Sequence, residues 1–370
     1  MKKIYTITFH KANNYGAILQ AYALQRFLSK KYDTKILNYD NRAISNCYKR
    51  FTFYNNTGAK MALGLVKDLI NLRKTSKRTH SFNRFRSELK ISDCYTLSAV
   101  KSGEYPQADA YIVGSDQVWN HTITGGVDDV YSLNFGRGDF KKISYAASSG
   151  NADVYLEKKE YFKNILKTYD AVSVRERSLE DTISRQGIKG VKLVADPTIL
   201  LTLDEWKSVI PGKRIVAGKY LFAYSVGNAT ELYYEAVNSI ARERNLEVVF
   251  FDKWNKGGKI RAKNHSMYCA GPYEFLNLLY NSEIVVTTSF HGTALSAILN
   301  KEMIIIPSTY SERITTLTGI LGLSGKIVAD GKKLEEACKR AIDWGAVNDK
   351  LEKERNKSSK WLIGAIEAKR

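Results

Sequence analysis

Short apolar runs alternate with stretches of helical period along the whole chain. KIYTITF leads into an apolar-periodic stretch over 17–31, then TKILNY. ADAYIVGS, KKISYAAS, AVSVRE and VKLVAD follow, several of them separated by helical patterns. The second half restarts with KYLFAYSVG, a helix near 230–244 and LEVVFFD, then EIVVTTS, a helix from His291 and MIIIPS. Strands that alternate with helices predict parallel sheets covered on both faces. The expected fold class is α/β, with two Rossmann-like domains facing a cleft. The domains are expected at 1–172 and 173–347, with the crossing somewhere between Val172 and Gly218. A Lys/Glu-rich helix over 348–370 is expected to pack back on the first domain.

The 370 residues suit two domains rather than one core. With 44% hydrophobic and 26% charged residues, the composition is that of a globular protein. Cys47, Cys94, Cys269 and Cys338 have neither zinc-ligand nor redox spacing, so a reduced compartment is expected. The opening MKKIYTITFH reads as a strand, because Thr6, Thr8 and His10 interrupt any signal-peptide core. No apolar window is long enough for a spanning helix, so the expected location is cytoplasmic, with peripheral contact at the inner membrane face an option.

There are 57 basic and 38 acidic residues, a net charge of +19. That excess favours anionic partners. It is densest over 49–90, where RKTSKRTHSFNRFR interleaves basic and aromatic residues. A solvated helix face is the first reading of this pattern, ahead of a binding surface. Leu63, Leu65, Val66, Leu69 and Ile70 precede the basic run and suit an amphipathic helix on an anionic membrane. No other nucleic-acid signature appears, so nucleic acid is not an expected partner.

Four segments carry candidate chemistry. HKANNYGAILQAYALQRFL places Asn14, Tyr15 and Gly16 at a strand-to-helix turn, where free N–H groups favour an anion or a substrate. An ordinary capped turn reads the same way. DAYIVGSDQVWN sets Ser115, Asp116, Gln117 and Trp119 just past a buried strand, the place where open α/β sheets bind ligands. Asp116 is a candidate base and Trp119 a candidate face for a sugar ring. Equally, Asp116 is a helix cap and Trp119 core. EIVVTTSFHGTALSAI opens a helix at Ser289, His291, Gly292 and Thr293. A histidine beside a phosphate can give or take a proton, although a lone histidine is more often structural. SVRERS offers Arg175, and SERITTLTG offers Arg313, for bidentate anion recognition or for salt bridges. Asp128 and Asp129 are a weak metal pair, and no metal is expected.

NYGAILQAYAL, YIVGSDQVWN, KKISYAASSG, SVRE, VADPTILL and TTSFHGTALSAI, in that order over about 10–325, resemble the polysaccharide pyruvyl transferase family. The resemblance implies an architecture similar to the GT-B glycosyltransferases. It also implies transfer of a pyruvyl group from phosphoenolpyruvate onto two sugar hydroxyls, making a cyclic ketal with no cofactor. The family's His-Gly falls on His291 and Gly292, and its Arg-Glu on Arg175 and Glu176. Some members carry an arginine where this chain has Ser289. For that chemistry His291 and Asp116 are the expected catalytic pair, and Arg175, Ser289, Gly292, Thr293 and Arg313 are expected to hold the donor. Asn14, Tyr15, Gly16, Ser115, Gln117 and Trp119 meet an acceptor sugar, which a polyprenyl diphosphate would carry. A nucleotide-sugar glycosyltransferase with a base pocket near Phe251 and Tyr268 is the rival reading. A non-catalytic basic binding protein is the third.

Overall fold

The computed structural model describes residues 1–47, 59–136, 138–253, 255, 258–307 and 311–369, apart from the side chains of 47 and 59–71. The first sheet contains β1 (Lys3–Ile7), β2 (Asp33–Tyr39), β3 (Ile91–Tyr95), β4 (Ala110–Val113), β5 (Lys141–Ala147), β6 (Ala171–Val174) and β7 (Lys192–Leu193). They pair in parallel in the order β3-β2-β1-β4-β5-β6-β7. The second sheet contains β8 (Tyr220–Tyr224), β9 (Glu247–Phe250), β10 (Asn264–Ser266), β11 (Ile284–Thr287) and β12 (Met303–Ile305), parallel in the order β10-β9-β8-β11-β12. Both sheets reverse their winding at a central pair, β1/β4 in the first and β8/β11 in the second. That is the topology of two Rossmann-like domains, and the crevice beyond those paired strand ends is where such sheets bind ligands.

The central strands form because their apolar runs are buried on both faces. All four residues of β4 (AYIV) and of β11 (IVVT) are buried. The expected boundary at 172/173 is corrected by the pairing. It would cut β6, and β6 and β7 both belong to the first sheet. The second sheet begins at Tyr220.

Helix Tyr15–Leu28 carries the contact between the domains. Tyr15 stacks on Phe275 with centroids 4.3 Å apart and meets Tyr224 and Phe251 edge-on. Its hydroxyl donates to the Ala270 carbonyl at 2.8 Å. Helix Ala59–Arg86 lies across the same seam. Arg78 donates to Tyr15 Oη, Asn13 O and Tyr268 O, and Arg86 to the carbonyls of His10, Lys11 and Ala12. These two arginines are therefore braces rather than a solvated face or a nucleic-acid surface. The proposed membrane stripe at Leu63, Leu65, Val66, Leu69 and Ile70 lies outside the described side chains.

The last helix begins at Trp344, four residues before the expected start. It returns to the first domain, where Leu362 and Ile366 pack with Ile4, Ile112 and Ile143. Among the described residues, no helix is long and apolar enough to cross a membrane.

Candidate active site

The loops after β1, β4, β8, β11 and β12 meet around a cavity of about 150 Å³. Its walls are Asn14 from the first loop, Asp116 and Gln117 from the second, Val226 from the third, Thr288–His291 from the fourth, and Ser311 and Arg313 from the last. Both switch points therefore open onto one space.

His291 stands in the first turn of helix Phe290–Ile298. Ser289 caps that helix, its Oγ accepting from the Gly292 N–H at 3.2 Å. The imidazole side chain is 10% exposed, and its Nε2 lies 3.5 Å from Asp196 Oδ2. That distance is longer than a hydrogen bond, and the pair is ionic only when the imidazole is protonated. The Phe290 ring crosses it edge-on at 5.1 Å. The opposite side of the imidazole rests on Gly16, where a Cβ would come within 2.1 Å of Nδ1.

Asp196 caps the short helix Pro197–Leu200 and is buried. Its Oδ1 accepts from Thr198 N at 3.0 Å and Thr198 Oγ1 at 2.8 Å. Its Oδ2 accepts from Ser115 Oγ at 3.0 Å and Arg175 Nη1 at 2.8 Å. Burial pushes this carboxyl up, but His291, Arg175 and the Thr198 amide outweigh it. The net effect holds Asp196 well below the usual carboxylate range. Glu176 goes the other way. Burial raises it against the pull of Arg175 and the Ser148 hydroxyl, which donates to Oε1 at 2.5 Å.

Arg313 is the basic side chain on the cavity wall. Burial pushes its guanidinium down, and Arg175 nearby adds to the effect. Its Nε has no hydrogen-bond partner. Asp116 sits on the facing wall with φ 69, a left-handed backbone that Asp tolerates better than most residues. Its Oδ1 accepts from the Gln117 amide at 2.9 Å. Asn14 caps the Tyr15 helix through the Ala17 amide.

The cavity thus gathers His291, Asp116, Arg313, Ser289, Asn14 and Gln117 from the sequence expectations. The structure corrects the rest. Trp119 is core, 1% exposed against Phe162 and Tyr169, so it offers no face to a sugar. Tyr15 is buried in the interdomain aromatic cluster. Gly16 serves the His291 ring rather than an acceptor. Ser115 is buried against Asp196, and Arg175 sits behind the cavity, paired with Asp196 and stacked over Phe290 at 4.6 Å. Gly292 makes room for protein, since a Cβ there would meet Thr287 Oγ1 at 2.5 Å. Thr293 is buried, and its hydroxyl donates back to Ser289 O at 3.0 Å.

The Asp128 and Asp129 carboxylates serve separate partners. Asp128 accepts from Tyr39 and Asn41, and Asp129 from Tyr161 and Lys101. Phe251 lies in the core, and Tyr268 stacks under Arg78, so the rival base pocket is filled by protein. Among the described residues, no group of three potential ligands could hold a metal.

Sequence reasoning missed Asp196, Val226, Thr288, Phe290 and Ser311. Asp196 had a local signal, an Asp-Pro-Thr cap just after an apolar strand. Thr288 and Phe290 lie within EIVVTTSFHGTALSAI, and Val226 and Ser311 had no signal.

Solved structures of similar fold include the UDP-GlcNAc 2-epimerase of Methanocaldococcus jannaschii (TM-score 0.58, 13% identity, 98% of this chain and 100% of that one). The putative UDP-N-acetylglucosamine 2-epimerase of Listeria monocytogenes aligns with TM-score 0.57 at 13% identity over 98% of this chain and 95% of that one. The UDP-GlcNAc 2-epimerase of Neisseria meningitidis, bound to UDP-GlcNAc, aligns with TM-score 0.53 at 11% identity over 99% of each chain. At such identities the likeness concerns the fold alone. No curated protein sequence matches the chain. The profile of the polysaccharide pyruvyl transferase family matches residues 14–310, which include every residue of the cavity wall but Ser311 and Arg313, and the chain belongs to that family.

Proposed function

We propose that the chain transfers the pyruvyl unit of phosphoenolpyruvate onto two hydroxyls of a sugar, in the making of a cell-surface or capsular polysaccharide. The observation that carries this reading is the single small cavity faced by His291, Asp116 and Arg313. Phosphoenolpyruvate brings a phosphate and a carboxylate on three carbons. The cavity is about 150 Å³, against about 300–1,000 Å³ for sites of drug-sized ligands, which suits that donor better than a nucleotide sugar.

In this reading His291 delivers a proton to the methylene carbon, and the adjacent carbon becomes cation-like. A sugar hydroxyl bonds there while Asp116 takes its proton. Phosphate then leaves, the second hydroxyl closes the ring, and the ketal forms. The two hydroxyl protons end on the new methyl group and on phosphate. Arg313 and the positive end of the His291 helix hold the departing anion, with Ser289 beside them. Asn14 and Gln117 face the acceptor. The net charge of +19 suits an anionic donor and an acceptor carried on a polyprenyl diphosphate at an anionic membrane face.

The test is phosphate release from phosphoenolpyruvate with galactosyl, N-acetylmannosaminyl and glucosyl acceptors, free and lipid-linked. Acceptor-dependent release that His291→Ala abolishes supports the reading. No release, together with heat protection by a nucleotide sugar but not by phosphoenolpyruvate, replaces it with glycosyl transfer. Salt-sensitive binding to anionic lipid or nucleic acid without turnover replaces it with a binding protein.

A further inference from the structure

We infer that Asp196 is the positioning residue of this site: it fixes the tautomer of His291, and Arg175 serves Asp196 rather than the donor. The inference rests on the reading of His291 as the acid/base group.

Three distant segments and one local cap converge on one carboxylate. Ser115, Arg175 and Thr198 fill its lone pairs, and the fourth direction is His291 Nε2 at 3.5 Å. That nitrogen is buried and has no hydrogen-bond partner. Cap and support alone would be satisfied by a neutral asparagine. An ionised carboxylate with charge-assisted donors is instead arranged to stay charged in a dry place. Set against an imidazole, it selects the form that carries its hydrogen on Nε2. Nδ1, on the ring edge beside Gly16, is then the nitrogen left for the reaction, and the proton delivered to the methylene carbon is the one that Nδ1 carries in the imidazolium, which Asp196 stabilises. Catalytic contacts of this kind are often long in the free protein and shorten with substrate. The arrangement also accounts for Arg175. Its charge faces Asp196 and Glu176, 2.8 and 3.6 Å away, its side chain is 2% exposed, and its Nε and Nη2 make no hydrogen bond. The donor then depends on Arg313.

The experiment uses the full chain labelled with ¹⁵N-histidine, with His291→Gln to assign the ring signals. The wild type is expected to show neutral His291 as the Nε2–H tautomer, and Asp196→Asn as the Nδ1–H form or a mixture. The same variant should lower kcat by about 10²–10⁴-fold with KM for phosphoenolpyruvate nearly unchanged. If Asp196→Asn unfolds because Arg175 is left unpaired, the double variant Asp196→Asn/Arg175→Met removes both charges and carries the same two expectations. An unchanged tautomer in a folded variant overturns the inference. So does a KM increase with kcat preserved, which would return Arg175 and Asp196 to donor binding. The tautomer is read without turnover, so it decides the role of Asp196 even if phosphoenolpyruvate is not the donor.

Discussion

Replacing Gly16 by alanine sets two physical effects against each other. Gly16 lies in the first turn of helix Tyr15–Leu28 with an ordinary helical backbone. Helix propensity alone therefore predicts a gain of up to about 1 kcal/mol for Gly16→Ala. Packing predicts the reverse. The new Cβ would lie 2.1 Å from His291 Nδ1, 2.6 Å from Cγ and 2.8 Å from Cε1. Ordinary contact is about 3.5 Å, so the ring must retreat by roughly 1.4 Å. Asp196 and Phe290 stand around the ring and limit that retreat. Overpacking of this kind costs about 1–3 kcal/mol, leaving a net loss of about 0–2 kcal/mol. A displacement near 1 Å of a catalytic group costs about 10²-fold in rate. Gly16→Ala should therefore fold with a melting temperature within a few degrees of the wild type, and release phosphate about 100-fold more slowly. Initial rates beside a thermal melt are sufficient. A variant that melts higher and turns over at the wild-type rate would refute the packing argument and remove His291 from the chemistry.

Arg313→Gln should raise KM for phosphoenolpyruvate by about 10–100-fold, the worth of a hydrogen bond to a charged group, while the melting temperature holds. Trp119→Phe should cost stability and leave the acceptor KM unchanged, because the indole is core rather than a sugar platform. Burial pushes the His10 imidazole down to about 4, against bonds to Thr8 O and Asn38. Its folded value lies below the unfolded one of about 6.5, so the stability from burying it neutral is present above that pH and fades as pH falls towards 4. Urea midpoints should therefore report a loss of about 2 kcal/mol between pH 7 and pH 5, which His10→Gln removes.

The central strands were legible because strands buried on both faces read as unbroken apolar runs. AYIV and IVVT end in polar residues at the switch points, so the chain announces where its cavity lies. The break between the domains was legible only as a range, Val172 to Gly218, because β7 has two residues and no pattern of its own. Aromatic side chains after a strand are ambiguous in the same way. Trp119 and Tyr15 look alike as sugar platforms and as core, and only packing separates them. Arg78 and Arg86 were misread because most of their targets are backbone carbonyls, one of them 190 positions away, which no local pattern records. Asp196 was hidden in a capping motif. Its meaning comes from Ser115, 81 positions upstream, and from His291.

The most direct test of the account follows the carbon skeleton of the donor. Phosphoenolpyruvate labelled with ¹³C at its central carbon is incubated with the full chain and the acceptor that supports phosphate release. The product is then examined by ¹³C NMR. The account predicts label in a carbon bonded to two sugar oxygens and a methyl group, formed by the wild type and lost in His291→Gln. Label recovered only as free pyruvate, or a ketal formed equally well by His291→Gln, would contradict it.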